Sequence, residues 1–178
     1  KRNLRYLKSI VKKIVNSIYK TNETAKKLFP KLDLEFCKDV KFITAKEAEK
    51  MYPNLSGKER EHALVKEFKT VFLIGIGSKL KSGKPHDGRA PDYDDWKLNG
   101  DLLVYNPVLD ESLELSSMGI RVDEKSLVKQ LKERKMLDKL NFDYHKDIVN
   151  GNLPLTIGGG IGQSRLCMYI LQKAHIGE

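Results

Sequence analysis

The sequence predicts an α+β fold, an antiparallel sheet flanked by helices, on three observations. Two strand-like runs, Leu102–Tyr105 and residues 112–122, follow one another across an Asn106-Pro107 turn with no helix between them, as antiparallel neighbours do. A third run, Val71-Phe72-Leu73-Ile74, is continuously apolar and ends at Gly75-Ile76-Gly77, the pattern of a buried strand. Helical patterns open and close the chain. Its 178 residues suit one domain with a real core.

The elements follow in order. Leu4, Leu7, Val11, Ile14 and Ile18 recur at steps of three and four, one apolar stripe of an amphipathic helix in a region ended by Pro30. Residues 40–43 read as a short strand. Thr44 caps the next helix, Glu47 completes a capping box, and Pro53 stops it. Another helix spans about 56–68. Residues 78–100, rich in Gly, Pro, Asp and Lys, read as one long loop. Beyond the paired strands, Asp123 caps a helix to about 138, and a shorter helix covers 143–149. Asn150-Gly151-Asn152 is a turn, and a glycine run leads into a last helix from Gly162 to Gln172.

Composition excludes several classes. No apolar run reaches the length of a membrane span, so no membrane role is expected. Cys37 and Cys167 are too few and too far apart for a disulfide framework or a four-thiolate zinc site, which points to a reducing, cytoplasmic setting. The four histidines have no metal-ligand spacing. The net charge is +9, yet residues 1–20 hold seven basic side chains and no acid, so the rest of the chain is close to neutral. A solvated basic face on one helix accounts for this, which disfavours a nucleic-acid partner. The chain opens on Lys1 rather than Met, as expected of a fragment.

The chemistry concentrates in three places. Gly75-Ile76-Gly77 has Leu80 at the third glycine position of a dinucleotide fingerprint, and Gly158-Gly159-Gly160-Ile161-Gly162 lacks the Lys-Ser/Thr pair of a P-loop, so both fail those tests. The second run instead permits close backbone approach to a ligand or a tight packing contact. Arg165 then falls in the first turn of the last helix, where a guanidinium and a helix N-terminus both favour an anion. In the strand at 112–122, Leu113 and Leu115 share one face, and Met118, Ile120 and Val122 form the next apolar set. A β-bulge at Ser116-Ser117 reconciles the two sets. The opposite face then carries Glu114, one of the serines, Gly119 and Arg121. The loop His86–Trp96 holds four aspartates beside a tyrosine and the only tryptophan, a set suited to an amino group or a divalent cation, and Asp101 adds another acid.

Together these strings resemble a known family. His86-Asp87-x-Arg89-Ala90-Pro91-Asp92-Tyr93-Asp94-Asp95-Trp96, Leu98-Asn99-Gly100-Asp101, Glu114–Asp123 and Gly158-Gly159-Gly160-Ile161-Gly162-Gln163-Ser164-Arg165-Leu166 are similar, in order, to the ammonia-dependent asparagine synthetases, the aspartate–ammonia ligases. That family is similar in turn to the catalytic core of class II aminoacyl-tRNA synthetases. The resemblance implies that residues 1–178 form a single partial catalytic domain, with a mixed helical segment at 1–69 and the core sheet with its ATP-binding motif at 70–178. It implies conversion of L-aspartate, ammonia and ATP to L-asparagine, AMP and pyrophosphate through β-aspartyl-AMP. Asp101 and Glu114 would hold Mg²⁺ and ATP, with Gly158, Gly159, Gly160 and Arg165 at the nucleotide. Asp94, Ser116 and Ser117 would bind aspartate. Asp94, Arg121 and Arg165 would carry the catalytic work.

The sequence departs from the family in two ways. The family's N-terminal part, with its dimer-forming motif and an arginine that contacts the α-phosphate, has no counterpart here. A segment between Trp96 and Leu98 is also shorter. A homodimer formed through that N-terminal part is the implied assembly, and a chain without these segments is expected not to catalyse alone. The alternatives are an inactive class II synthetase-like paralogue that binds nucleotide or RNA, and a fragment of an aspartyl- or asparaginyl-tRNA synthetase.

Overall fold

A computed structural model describes all residues, Lys1–Glu178. Strands β1 (Lys41–Thr44), β2 (Thr70–Ile74), β3 (Asp94–Asn106), β4 (Glu111–Arg121) and β5 (Ile157–Ile161) form one sheet in sequence order. The pairs β2–β3, β3–β4 and β4–β5 are antiparallel, as expected. The edge pair β1–β2 is parallel, so the sheet is mixed rather than purely antiparallel. The reason is local: helices α2 (Ala45–Met51) and α3 (Gly57–Phe68) form the crossover that a parallel pair needs.

One face of the sheet is covered by α1 (Leu4–Leu28). Leu7, Val11, Val15 and Ile18 pack there with Phe72, Ile74, Leu102, Val104, Leu115, Met118 and Ile120. Helix α3 covers part of the other face, where Leu64 and Val65 meet Val71, Leu73 and Leu103. The remainder of that second face lies beyond α3 and carries the candidate site.

Capping read from sequence holds in detail. Glu47 N–H donates to Thr44 Oγ1 and Thr44 N–H to Glu47 Oε2, the two halves of a capping box. Asp123 caps α4 (Glu124–Glu133) with Ser126 as its reciprocal partner. The helix stops well before residue 138 because Lys135 takes a left-handed φ of 57°. There Met136 N–H closes back onto Leu131 C=O at 2.9 Å, a helix-ending motif. A short 3₁₀ turn (Leu137–Asn141) and α5 (Asp143–Val149) follow. The last helix, α6 (Gln163–Ile170), starts after Gly162.

Three local expectations change. The supposed loop 78–100 gives up its last part to β3, which begins at Asp94. Polar residues hold this stretch in extended form because distant partners satisfy them. Trp96 N–H donates to Gln130 Oε1 at 2.9 Å, and Gln130 Nε2 donates to the carbonyls of Pro91 and Asp94. The pairing jumps from Asp94–Arg121 to Asn99–Gly119, so residues 95–98 bulge out. The bulge in β4 sits one residue earlier than Ser116-Ser117: Leu102 pairs with Ser116 and Leu103 with Glu114, leaving Leu115 as the extra residue. The glycine run is itself strand β5, not only an approach to a helix.

Candidate functional site

On either side of the Leu115 bulge, alternation places Glu114 and then Ser117, Gly119 and Arg121 on the open face of β4, with Asp101 paired to Ser117 on β3. A cleft of about 530 Å³ opens there, lined by Tyr93, Glu114, Ser117, Arg121, Gly160 and Arg165 among others. It brings Glu114 and Arg165 to one place from 51 positions apart in the chain. Arg165 Nη1 donates to the Glu114 carbonyl at 3.2 Å and lies 3.7 Å from its carboxylate. No side chain caps α6, so its N-terminal N–H groups are not claimed by a local cap.

Arg121 forms an ion pair with Asp94, donates to Tyr93 Oη at 2.9 Å, and lies 3.8 Å over the Tyr93 ring. Burial pushes the Asp94 carboxyl above the ordinary range, although the Arg121 hydrogen bond and charge pull against it. Two glycines make this pair possible. A Cβ on Gly158 would overlap the Arg121 guanidinium, and one on Gly119 would collide with the Asp94 carboxyl. Gly159 packs on Met118, whereas a Cβ on Gly160 would meet nothing within 4 Å. The glycine run therefore does two jobs: two positions make room for protein atoms, and one leaves open space in the cleft.

Asp101 forms an ion pair with Arg89, whose Nη1 also donates to Ser117 Oγ at 3.0 Å. Burial raises the Asp101 pKa to about 6, helped by the neighbouring Glu114 charge and opposed by Arg89. Of the two serines, Ser117 faces the site. Ser116 is 2% exposed, shares the strand parity of Met118 and Ile120, and has a buried hydroxyl with no hydrogen-bond partner.

Sequence reasoning quoted Arg89 within a motif but gave it no role; only the fold brings it to Asp101. The same holds for the anchors of its loop. His86 Nε2 lies 3.0 Å from Glu61 at one end of that loop. At the other, Asp92 pairs with Lys139 and His145 at 2.7 and 3.0 Å. The Lys139 and His145 contacts hold the Asp92 carboxyl below its ordinary range despite its burial.

No group of three or more His, Cys, Asp or Glu side chains converges as a dedicated metal cage. Glu114 lines the open cleft, and Asp101, buried on β3 and paired with Arg89, lies near enough to feel its charge. That set fits Mg²⁺, which is held by one or two carboxylates together with substrate phosphates.

The fold is that of the class II aminoacyl-tRNA synthetases. The asparaginyl-tRNA synthetase of Pyrococcus horikoshii complexed with asparaginyl-adenylate aligns with a TM-score of 0.66 at 20% identity, over 96% of this chain and 42% of that one. The Entamoeba histolytica asparaginyl-tRNA synthetase aligns with a TM-score of 0.64 at 19% identity, over 98% and 43%. Within that class sequence is more specific. The aspartate-ammonia ligase family model matches residues 1–178. The aspartate–ammonia ligases of Clostridium tetani and Fusobacterium nucleatum are each 56% identical over 177 residues, covering 99% of this chain and 52% and 54% of theirs. The chain belongs to the aspartate-ammonia ligase family, and it spans about half the length of the curated relatives it matches.

Proposed function

We propose that this chain carries the nucleotide and aspartate site of an enzyme that makes L-asparagine from L-aspartate, ammonia and ATP. The observation that carries the reading is the meeting of Glu114, Arg165 and the glycine strand at one cleft in a member of this family. In the first step a side-chain carboxylate oxygen of aspartate attacks the α-phosphorus of ATP. An O–P bond forms, the α–β bridging bond breaks, and pyrophosphate leaves. Ammonia then attacks the activated carbonyl carbon, loses a proton, and releases AMP.

A carboxylate and a triphosphate repel one another, so the site must supply positive charge. Arg165 supplies it beside the cleft floor, with the uncapped α6 N-terminus behind it. Asp101 and Glu114 would hold Mg²⁺, which neutralises phosphate charge when bound. Gly160 leaves space for the nucleotide to approach the backbone. Asp94 would receive the substrate α-ammonium, with Arg121 as its present partner keeping the carboxylate oriented. Ser117 supplies a hydroxyl at the same face, and Ser116 supports the strand from behind.

A dimer formed through the part of the relatives this chain does not span belongs to the same proposal, as does a cytoplasmic setting. No helix is long and apolar enough to cross a membrane. The test is aspartate-dependent exchange of pyrophosphate into ATP, followed by asparagine formation from ammonia without tRNA, in the full-length protein. Arg165→Ala is expected to lower exchange by about 10²–10³-fold. Exchange that is absent from the full-length protein, or intact in the variant, overturns the reading.

A further inference from the structure

We propose that Gln130, on the inner face of α4, is a positioning residue for aspartate, which holds the Asp94 carboxylate at the cleft by standing in for a strand ladder that β3 lacks there. The proposal deepens the function above, because it rests on Asp94 as the receiver of the substrate α-ammonium.

Asp94 sits where the sheet supports it least. It pairs with Arg121, but the next pair along β3 is Asn99 with Gly119, and β2 pairs only from Gly100 onward, so residues 95–98 have no strand partner on either side. Buried backbone groups at such a bulge need other partners. Three of them go to one side chain. Gln130 Nε2 donates to the Pro91 carbonyl at 2.9 Å and to the Asp94 carbonyl at 3.0 Å, and Trp96 N–H donates to Gln130 Oε1 at 2.9 Å. One amide thus fixes the backbone from Pro91 to Trp96. That stretch also decides which acid meets the cleft: Asp95, the next residue, turns instead to Arg2 at 2.6 Å.

Packing alone does not call for glutamine here. Leu127 and Leu131 on the same helix are 0% exposed, and Gln130 itself is buried. A buried amide is costly unless its groups are hydrogen-bonded, and both ends of this one are. An apolar residue would fill the space and leave three backbone groups unpaired. Asp94 links this anchor to the cleft, since its carboxylate pairs with Arg121, and Arg121 and Tyr93 line the cleft. The fit has little slack, because a Cβ on Gly119 would already collide with the Asp94 carboxyl. A misplacement of about 1 Å is enough to weaken a positioned contact strongly. None of the Gln130 hydrogen bonds reaches Glu114 or Arg165, at the other end of β4.

The test uses the full-length protein and two readouts. Without ligand, amide hydrogen exchange of the peptide holding residues 91–98 reports the loop directly. Calorimetric titration with L-aspartate and with Mg²⁺–ATP reports the two ends of the cleft. Gln130→Met, similar in length but without hydrogen-bonding N or O atoms, is expected to speed that exchange and to weaken aspartate by about 10- to 100-fold, as for buried groups left unpaired. ATP affinity should stay within about twofold, as for an independent site. Gln130→Glu keeps an acceptor for Trp96 N–H but loses both N–H donors, so it should act in the same direction, and it serves as the test if the methionine variant does not fold. Asp94→Asn should weaken aspartate by itself, and Gln130→Met should add little to that loss, because both act at one carboxylate. Unchanged exchange, unchanged aspartate affinity, an equal loss of ATP and aspartate, or additive losses in the double variant each overturn the proposal. A full-length protein that binds aspartate without exchanging pyrophosphate, and loses that binding in the variants, upholds the proposal and sinks only the proposed reaction. One that binds no aspartate sinks both.

Discussion

Asp101 offers a sharp test because burial sets its ionisation and Asn mimics its neutral form. In the folded chain its pKa rises from an ordinary 3.8 to about 6. At about 1.4 kcal/mol per pH unit, that rise corresponds to about 3 kcal/mol. The sign follows from which state keeps the proton. Between pH 3.8 and about 6 the folded chain holds it while the unfolded chain releases it. Stability from this group is therefore fully present below the unfolded value and is lost as pH rises through the folded one. Asp101→Asn cannot ionise and still offers Arg89 and Ser117 a hydrogen-bonding oxygen. Urea unfolding from pH 4 to 7 should show the wild type losing about 2 kcal/mol of that relative to the variant. Groups with lowered values, such as Asp92 and Asp123, tilt both profiles the other way and cancel in the difference. Parallel profiles for the two proteins would refute the burial argument for Asp101.

Two further expectations test the sheet and its glycines. Gly158→Ala forces the Arg121 guanidinium away from Asp94, whereas Gly160→Ala meets nothing within 4 Å. Thermal unfolding should fall by several degrees in the first and stay within about 1 °C in the second, while nucleotide binding, read by calorimetry, should weaken in both. Intact binding in Gly160→Ala would mean that no ligand approaches that backbone. Leu7 is 0% exposed in the core under α1, so Leu7→Ala should cost about 2–5 kcal/mol in urea unfolding. Lys12→Ala on the wet side of the same helix should stay within about 0.5 kcal/mol.

Much of the fold was legible wherever a signal is short-ranged. The apolar stripe of α1, the Thr44–Glu47 box and the uninterrupted run in β2 each depend on residues a few positions apart. Their local energetics agree with the final structure. Residues 94–100 were not legible as strand, because Asp, Lys, Asn and Gly disfavour strands locally. Gln130 and Arg121, far off in sequence, satisfy them. The glycine strand was hidden for the same reason: its pairing with β4 supplies what its propensity lacks. The β4 bulge could be foreseen from the slip in alternation, but not its residue, since the register opposite Leu102 and Leu103 decides which side chain is extra.

The site divides the same way. Sequence by itself determined the cast: the acidic loop, the acid and arginine of β4, the glycines and Arg165, and with them the family. Tertiary structure decided the partners. It set Arg121 on Asp94, Arg89 on Asp101 and Arg165 beside Glu114, and chose Ser117 over Ser116. The physical reason is range: residue type and spacing act over a turn or a strand, whereas ion pairs, burial and the pKa values they set depend on which segments the sheet lays side by side.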